Sequence, residues 1–142
     1  MERAVAAAER AAELGEVPVG AVVARDEQIL AVAHNALIIQ NDPTGHAEVL
    51  ALREAAAVVG NYRLPGATLY VTLEPCTMCC GALIHARIER LIFATPEPKA
   101  GAVISTLNVL DNPQLNHRVS VQHGLEKERA SALLSDFFRA RR

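Results

Sequence analysis

The stretch ATLYVTLEPCTMCCGALIHA, residues 67–86, predicts a buried strand that leads directly into a helix. Residues 67–73 are mostly apolar or β-branched, which is typical of a strand. Pro75 ends the strand, because proline has no amide hydrogen to give to a sheet. Residues 76–86 follow as a helix. A strand followed by a helix is the building unit of an α/β sheet.

The sequence on either side repeats this alternation. We expect helices at residues 2–14, 46–59 and 124–139, and strands at 17–24, 28–34 and 90–95, with a possible strand at 119–122. Residues 35–45, 64–66 and 96–101 are expected to be loops because of their turn-forming residues. The pattern predicts a single domain over residues 1–142, of the three-layer α/β/α class. Its mixed sheet has about five strands, begins with an antiparallel pair and carries helices on both faces.

Composition narrows the class of protein. With 51% hydrophobic and 21% charged residues and a mean hydropathy of +0.16, the chain is not disordered or collagen-like. No apolar run approaches the roughly 18 residues of a membrane span, and charges interrupt the N-terminal segment where a signal peptide would be apolar. We therefore expect a cytoplasmic protein with no membrane association.

Charge and aromatic content argue against a general nucleic-acid coat. The net charge is −2, and only 4% of residues are aromatic, which makes a platform for stacking several bases improbable on composition. Three arginines nevertheless stand among the last four residues, Arg139, Arg141 and Arg142. A local basic patch of this kind can bind phosphate on an acidic protein.

Three cysteines fall within five positions at the start of the predicted helix 76–86, which favours a metal or redox site over a disulfide framework. Cys76 and Cys79 are spaced i, i+3, so their sulfurs lie on one helical face, and the helix N-terminus favours their thiolate form. Cys80 is also a helical neighbour of Cys76. We interpret Cys80 as a small buried apolar residue, the commoner fate of a free cysteine.

The triplet His46-Ala47-Glu48 stands at the start of another predicted helix. Two thiolates and a neutral imidazole balance the charge of one Zn²⁺ and leave its fourth position open to water, as in catalytic sites. Glu48 is the candidate acid–base group. Residues two apart on an ideal helix point about 200° apart. His46 and Glu48 can therefore converge only at the open N-terminal end of the helix.

Each motif alone has another interpretation. A lone CxxC occurs in thioredoxin-like redox pairs, and a glutamate near a helix start can simply favour the helix dipole. Together and in this order, the two motifs match the H-x-E and P-C-x-x-C signature of zinc nucleobase deaminases.

Longer stretches narrow the resemblance. The chain resembles the bacterial tRNA-specific adenosine deaminases, which have a cytidine-deaminase-like fold and make inosine at the anticodon wobble position. The zinc motifs fit any cytidine-deaminase-like enzyme, whereas the stretches Asn61-Tyr62-Arg63-Leu64 and Ser135-Asp136-Phe137-Phe138-Arg139 are specific to this family. The similarity also includes residues 15–22, 42–44, 68–79 and 116–118.

The resemblance implies roles for individual residues. His46, Cys76 and Cys79 would bind zinc and Glu48 would transfer protons. Asn35 would hydrogen-bond the flipped adenosine, although an Asx turn that caps the loop is an alternative. The other implied substrate-binding residues are Val17, Pro18, Val19 and Ala47, of which the first three would form a wall of the base pocket and can equally belong to a core strand.

The same resemblance implies a tRNA anticodon stem-loop as partner and a homodimer. The implied RNA contacts are Lys99, Arg118, Arg139, Arg141 and Arg142, for which solvated surface charge is the alternative. The chain departs from the family pattern at Pro96-Glu97-Pro98, at Gly45 and at Cys80, and its first helix begins abruptly.

Three other functions stay open at this point. The chain could be a free-base or nucleoside deaminase acting on guanine or cytosine. It could be a non-catalytic, zinc-stabilised RNA-binding subunit, although Glu48 would then serve no purpose. A thiol–disulfide role would require a reducible bond between Cys76 and Cys79 and no bound metal.

Overall fold

A computed structural model describes residues 1–142 and contains one five-stranded mixed sheet, in the order β2-β1-β3-β4-β5. Strand β1 is antiparallel to both β2 and β3, whereas β3, β4 and β5 are parallel. The predicted mixed sheet is confirmed. The strands are β1 (Gly20–Arg25), β2 (Gln28–His34), β3 (Thr68–Leu73), β4 (Arg90–Thr95) and β5 (Ser120–His123).

Helices cover both faces of the sheet, which confirms the three-layer class. Helices α1 and α5 pack together on one face, and α3 and α4 pack together on the other. None of these helices is both long and apolar enough to cross a bilayer. The helices are α1 (Glu2–Glu13), α2 (Leu37–Gln40), α3 (Ala47–Val59), α4 (Thr77–His85) and α5 (Lys127–Arg139), with a 3₁₀ turn at Val109–Asp111.

The main core lies between the sheet and the α3–α4 layer. Leu69, Val71, Leu91 and Phe93 of the two central strands are fully buried there. On the other face the backbone of α1 approaches β1 so closely that a Cβ on Gly20 would lie 2.0 Å from the carbonyl oxygen of Ala4. Only glycine fits at that position.

The structure differs from the prediction by more than one residue in three places. Strand β1 begins at Gly20 rather than residue 17, because the Val19 amide donates to the Val17 carbonyl and turns the chain before it pairs. Helix α5 begins at Lys127 rather than residue 124, because Gly124 and Glu126 have positive φ angles of 105° and 61°.

The third difference is helix α2, which lies inside a predicted loop. The buried carboxylate of Glu16 accepts hydrogen bonds at 2.8 Å from the amides of Ile38 and Ile39. These amides belong to the first turn of α2, so Glu16 satisfies donors that a helix N-terminus leaves free. A contact between residues more than twenty positions apart leaves no local signal in the sequence.

Candidate active site

The two predicted motifs meet at the carboxyl end of β3, where α3 and α4 both begin. His46 is the N-cap of α3 and Cys76 is the N-cap of α4, while Cys79 lies in the first turn of α4. The Nδ1 atom of His46 lies 3.5 Å from the Cys76 Sγ and 3.4 Å from the Cys79 Sγ. These three donor atoms all lie within 4.8 Å of one another.

This geometry fits zinc. Tetrahedral coordination with a Zn–S distance of about 2.3 Å and a Zn–N distance of about 2.0–2.1 Å places nitrogen and sulfur about 3.6 Å apart. The observed separations of 3.4 and 3.5 Å agree with that value. His46, Cys76 and Cys79 could therefore hold one ion and leave a coordination position for a further ligand.

Cys80 takes no part in this cluster. It is fully buried, and its thiol points toward the carbonyl oxygen of Pro75 at 3.8 Å. Burial raises the pKa of Cys80 to about 12. Cys80 is therefore a protonated core residue, while the other two cysteines face His46.

The electrostatics of the pair favour a thiolate at Cys76. A hydrogen bond from Cys79 lowers the pKa of Cys76 to about 3, and the contact with His46 acts in the same direction. The pKa of Cys79 is raised because its thiol donates that bond and because it is buried. The pKa of His46 is raised mainly by its hydrogen bond to Cys76.

Glu48, in the first turn of α3, is only 4% exposed. Burial raises the pKa of Glu48 to about 7, although the charge of His46 opposes the shift. His46 has an extended backbone, with φ −70° and ψ 147°, so the 200° separation of two helical positions does not apply to this pair. The two side chains consequently line the same cavity.

That cavity has a volume of about 220 Å³ and opens beside the metal-binding candidates. Its position at the carboxyl end of the parallel strands is the usual one for ligand binding in α/β sheets. It is lined by Val17, Val19, Asn35, Leu37, His46, Glu48, Leu73, Glu74, Cys76, Glu97 and Ala100.

Asn35 connects the cavity to helix α3. Its Oδ1 accepts a hydrogen bond of 2.9 Å from the Ala47 amide, and the residue is 7% exposed. The bond joins residues twelve positions apart, so it is not the Asx turn considered from the sequence. The Nδ2 group makes no hydrogen bond to the chain, and this donor is available to a ligand in the cavity.

The other predicted pocket residues divide into two groups. Val17 and Val19 line the cavity. Pro18 and Ala47 are fully buried and do not line it. The amide of Ala47, rather than its side chain, contributes to the site by holding Asn35.

Five lining residues were not assigned to the site by sequence reasoning, namely Leu37, Leu73, Glu74, Glu97 and Ala100. Glu74 directly precedes the Pro75-Cys76 motif, and Glu97 lies in the Pro96-Glu97-Pro98 departure. Neither residue belongs to a spacing pattern that indicates a site. Their role depends on contacts between distant segments.

A second, wider groove of about 830 Å³ lies beside the cavity, and Glu97 lines both. It contains Lys99 together with three of the four predicted RNA-binding arginines. Arg139 forms an ion pair of 3.2 Å with Asp136, and Arg141 stacks 3.5 Å above the ring centroid of Phe137. The groove is lined by Glu97, Lys99, Leu134, Ser135, Phe138, Arg139, Arg141 and Arg142.

Arg118 is not part of this groove. Its guanidinium donates to the carbonyl oxygens of Asn112 and Pro113. It lies just before β5, whose first residue, Ser120, pairs with Arg90 at the start of β4. Arg118 is therefore at the opposite end of the sheet from the cavity.

The known proteins that this chain resembles are deaminases. The sequence model of the MafB19-like deaminases matches residues 1–142. The tRNA-specific adenosine deaminase of Haemophilus influenzae is 48% identical, over all of this chain and 83% of that protein. The structure is similar to that of a tRNA:A34 deaminase, which edits A to I at the wobble position, with a TM-score of 0.92, 43% identity and coverage of 94% of this chain and 97% of that one.

A guanine deaminase from Bacillus subtilis is also similar, but over less of the chain. The match has a TM-score of 0.64 and 41% identity, and it covers 67% of this chain and 61% of that protein. The similarity to the tRNA:A34 deaminase covers more of the chain than the similarity to the guanine deaminase, and its TM-score is higher.

Proposed function

The chain belongs to the tRNA-specific adenosine deaminases, within the MafB19-like deaminase family, and on that basis we propose that it hydrolyses adenosine to inosine at the wobble position of a tRNA anticodon. The observation that carries the proposal is that the cluster of His46, Cys76 and Cys79 lies at the cavity that the buried Glu48 lines. Three metal donors alone suit a structural site. A buried carboxylate beside them supplies the proton transfer that deamination requires.

One Zn²⁺ per chain, held by His46, Cys76 and Cys79, would lower the pKa of a bound water and so supply the nucleophile at neutral pH. In the overall reaction the water oxygen bonds to C6 of the base, the bond from C6 to the exocyclic amine breaks, and ammonia leaves. Glu48 accepts one proton from the water and delivers it to N1, and the second proton of the same water goes to the leaving amine. A pKa of about 7 suits Glu48 to both directions of transfer near neutral pH.

Asn35 and four apolar lining residues recognise the base. The free Nδ2 group of Asn35 is placed to donate a hydrogen bond, and Val17, Val19, Leu37 and Leu73 supply apolar walls. The anticodon loop is single-stranded, so extruding a base from it costs little.

The basic groove would bind the RNA backbone. Lys99, Arg139, Arg141 and Arg142 place four positive charges next to the cavity entrance, and phosphate contacts position a nucleic acid without reading its sequence. Arg118 lies at the other end of the sheet, so a contact from it to the same stem-loop would require the second subunit of the proposed homodimer. We place the enzyme in the cytoplasm with its tRNA substrate.

The test is a Glu48→Ala variant assayed on an anticodon stem-loop, with inosine measured by mass spectrometry of the digested nucleosides. We expect inosine formation to fall by about 10² to 10⁴-fold or more, the usual contribution of acid–base catalysis, while zinc content and RNA binding persist. Glu54→Ala is the matched control, because Glu54 is an exposed glutamate on the same helix.

Two results would contradict the proposal. Unchanged inosine formation by Glu48→Ala would remove Glu48 from the reaction. Turnover of guanine, cytosine or free nucleosides by the wild-type protein, with none of the stem-loop, would assign the site to a small substrate instead.

A further inference from the structure

Glu74 is a buried carboxylate that the reaction described above does not use. It follows β3, is 3% exposed and lies two residues before Cys76. Five donors from a distant segment surround it. Oε1 accepts from the amides of Val103, Ile104 and Ser105 at 2.8–3.0 Å, and Oε2 accepts from the Glu97 amide at 2.9 Å and from the Ser105 hydroxyl.

These contacts leave the carboxylate no capacity for proton transfer. A carboxylate has about four lone-pair sites, and all five donors come from the protein. Glu74 is thus an acceptor committed to residues 97–105, although it lines the cavity.

The segment that Glu74 holds lines both the cavity and the basic groove. Glu97 and Ala100 line the cavity, and Glu97 and Lys99 line the basic groove. The segment packs tightly on Glu74, since a Cβ on Gly101 would lie 2.3 Å from the Glu74 Oε2 and 2.6 Å from the Glu97 carbonyl oxygen. The Ala102 amide also donates to the Pro75 carbonyl at 2.9 Å.

We propose that Glu74 is a positioning residue, which fixes residues 97–105 as the wall shared by the catalytic cavity and the basic groove. The kinetic part of this proposal rests on the proposed function. The wall carries neither Glu48 nor a metal ligand. Loss of its anchor should therefore weaken the binding of RNA more than it slows the chemical step.

The experiment compares Glu74→Gln and Glu74→Ala with the wild-type protein. Glutamine has the same shape and keeps one acceptor oxygen, but its amide group faces the Glu97 amide, where two donors oppose each other. Ile88→Val is the matched control. Ile88 is fully buried just before β4 begins, whereas residues 97–105 follow the other end of that strand. Its truncation lowers global stability at a distance from the wall.

Hydrogen exchange of peptides covering residues 97–105 reports the position of the wall without any substrate. We expect exchange there to quicken about tenfold or more in Glu74→Gln and further in Glu74→Ala, the scale of losing a hydrogen bond to a charged acceptor. Ile88→Val should leave the relative protection of this segment unchanged. If Glu74→Ala does not fold, Glu74→Gln decides the outcome alone.

Steady-state kinetics on the stem-loop give the second readout. We expect KM to rise about tenfold in Glu74→Gln while kcat changes less than about threefold and zinc stays at one per chain. Equal effects in Ile88→Val, unchanged exchange in Glu74→Gln, or loss of zinc from that variant would each overturn the positioning role. If the wild-type protein forms no inosine, the proposed function is wrong. If Glu74→Gln forms inosine with the wild-type KM, the positioning role of Glu74 is wrong.

Discussion

The Oδ1 and Nδ2 atoms of Asn35 have different roles, and two substitutions can distinguish these roles. The Oδ1 atom accepts from the Ala47 amide at the start of α3, and the Nδ2 group is free to donate into the cavity. Asn35→Ala removes both functions. Asn35→Asp keeps an acceptor for Ala47 and replaces the donor with a carboxylate oxygen.

The expected stability change follows from the buried hydrogen bond. Replacing a residue that caps a helix N-terminus by alanine costs about 1 kcal/mol, and leaving a buried amide unpaired costs about 1–3 kcal/mol. We therefore expect Asn35→Ala to lose about 1.5 kcal/mol, or about 5 °C in Tm for a chain of this size. Asn35→Asp should lose less than half as much, because aspartate still accepts from Ala47 and its charge suits a helix N-terminus.

Activity should not separate the two variants, because both lack the Nδ2 donor. Loss of one hydrogen bond to the base lowers kcat/KM on the stem-loop by about 10- to 100-fold. The assay combines thermal unfolding, zinc content and inosine formation on the same preparations. Full activity in Asn35→Asp would refute the donor role, and a Tm as low as that of Asn35→Ala would refute the role of Oδ1 at α3.

Three further predictions test other parts of the structure. Gly20→Ala should lower stability by about 3 kcal/mol or more, because the new Cβ meets the backbone of α1 at 2.0 Å, whereas Gly81→Ala, in helix α4 with nothing within 4 Å, should be neutral or stabilising by thermal unfolding. Lys99→Gln should weaken stem-loop binding and lower the slope of log affinity against log salt by about 0.7–0.9 if Lys99 contacts one phosphate. Lys127→Gln is the control and should leave the slope unchanged, because Lys127 lies about 18 Å along α5 from Arg139 in the groove. The pKa of Glu74 is lowered in the folded state from 4.5, so its contribution to stability is present above about pH 4.5 and is lost as pH falls through the folded-state pKa. The free energy of unfolding, measured by urea titration, should therefore fall more steeply with acid in the wild type than in Glu74→Gln, and equal slopes would contradict this.

Local patterns predicted what depends on near neighbours. The i, i+3 spacing of Cys76 and Cys79, together with a helix start at each motif, was enough to predict that His46 and both sulfurs share a site. The same patterns could not show that Val17 and Val19 turn before the sheet begins. That turn is closed by the hydrogen bond from the Val19 amide to the Val17 carbonyl, which an apolar run does not reveal.

Placement of distant segments was the part that the sequence could not supply. Lys99 and the three C-terminal arginines share a groove, and Arg118 does not, because β5 starts at the far end of the sheet. Glu16 and Glu74 each hold a segment more than twenty residues away. A glutamate beside a motif looks the same in a sequence whether it faces solvent or anchors a wall.

The separation of the metal donors along the chain has a bearing on folding. His46 and Cys76 stand 30 residues apart, so an ion shared between them would act as a cross-link between α3 and α4. For a disulfide, closing a loop of that length corresponds to about 3.6 kcal/mol of lost freedom in the unfolded chain. A metal cross-link is reversible, and its strength follows the free zinc concentration. Zinc supply would then govern how long each polypeptide survives against proteases, as well as how fast it turns over RNA.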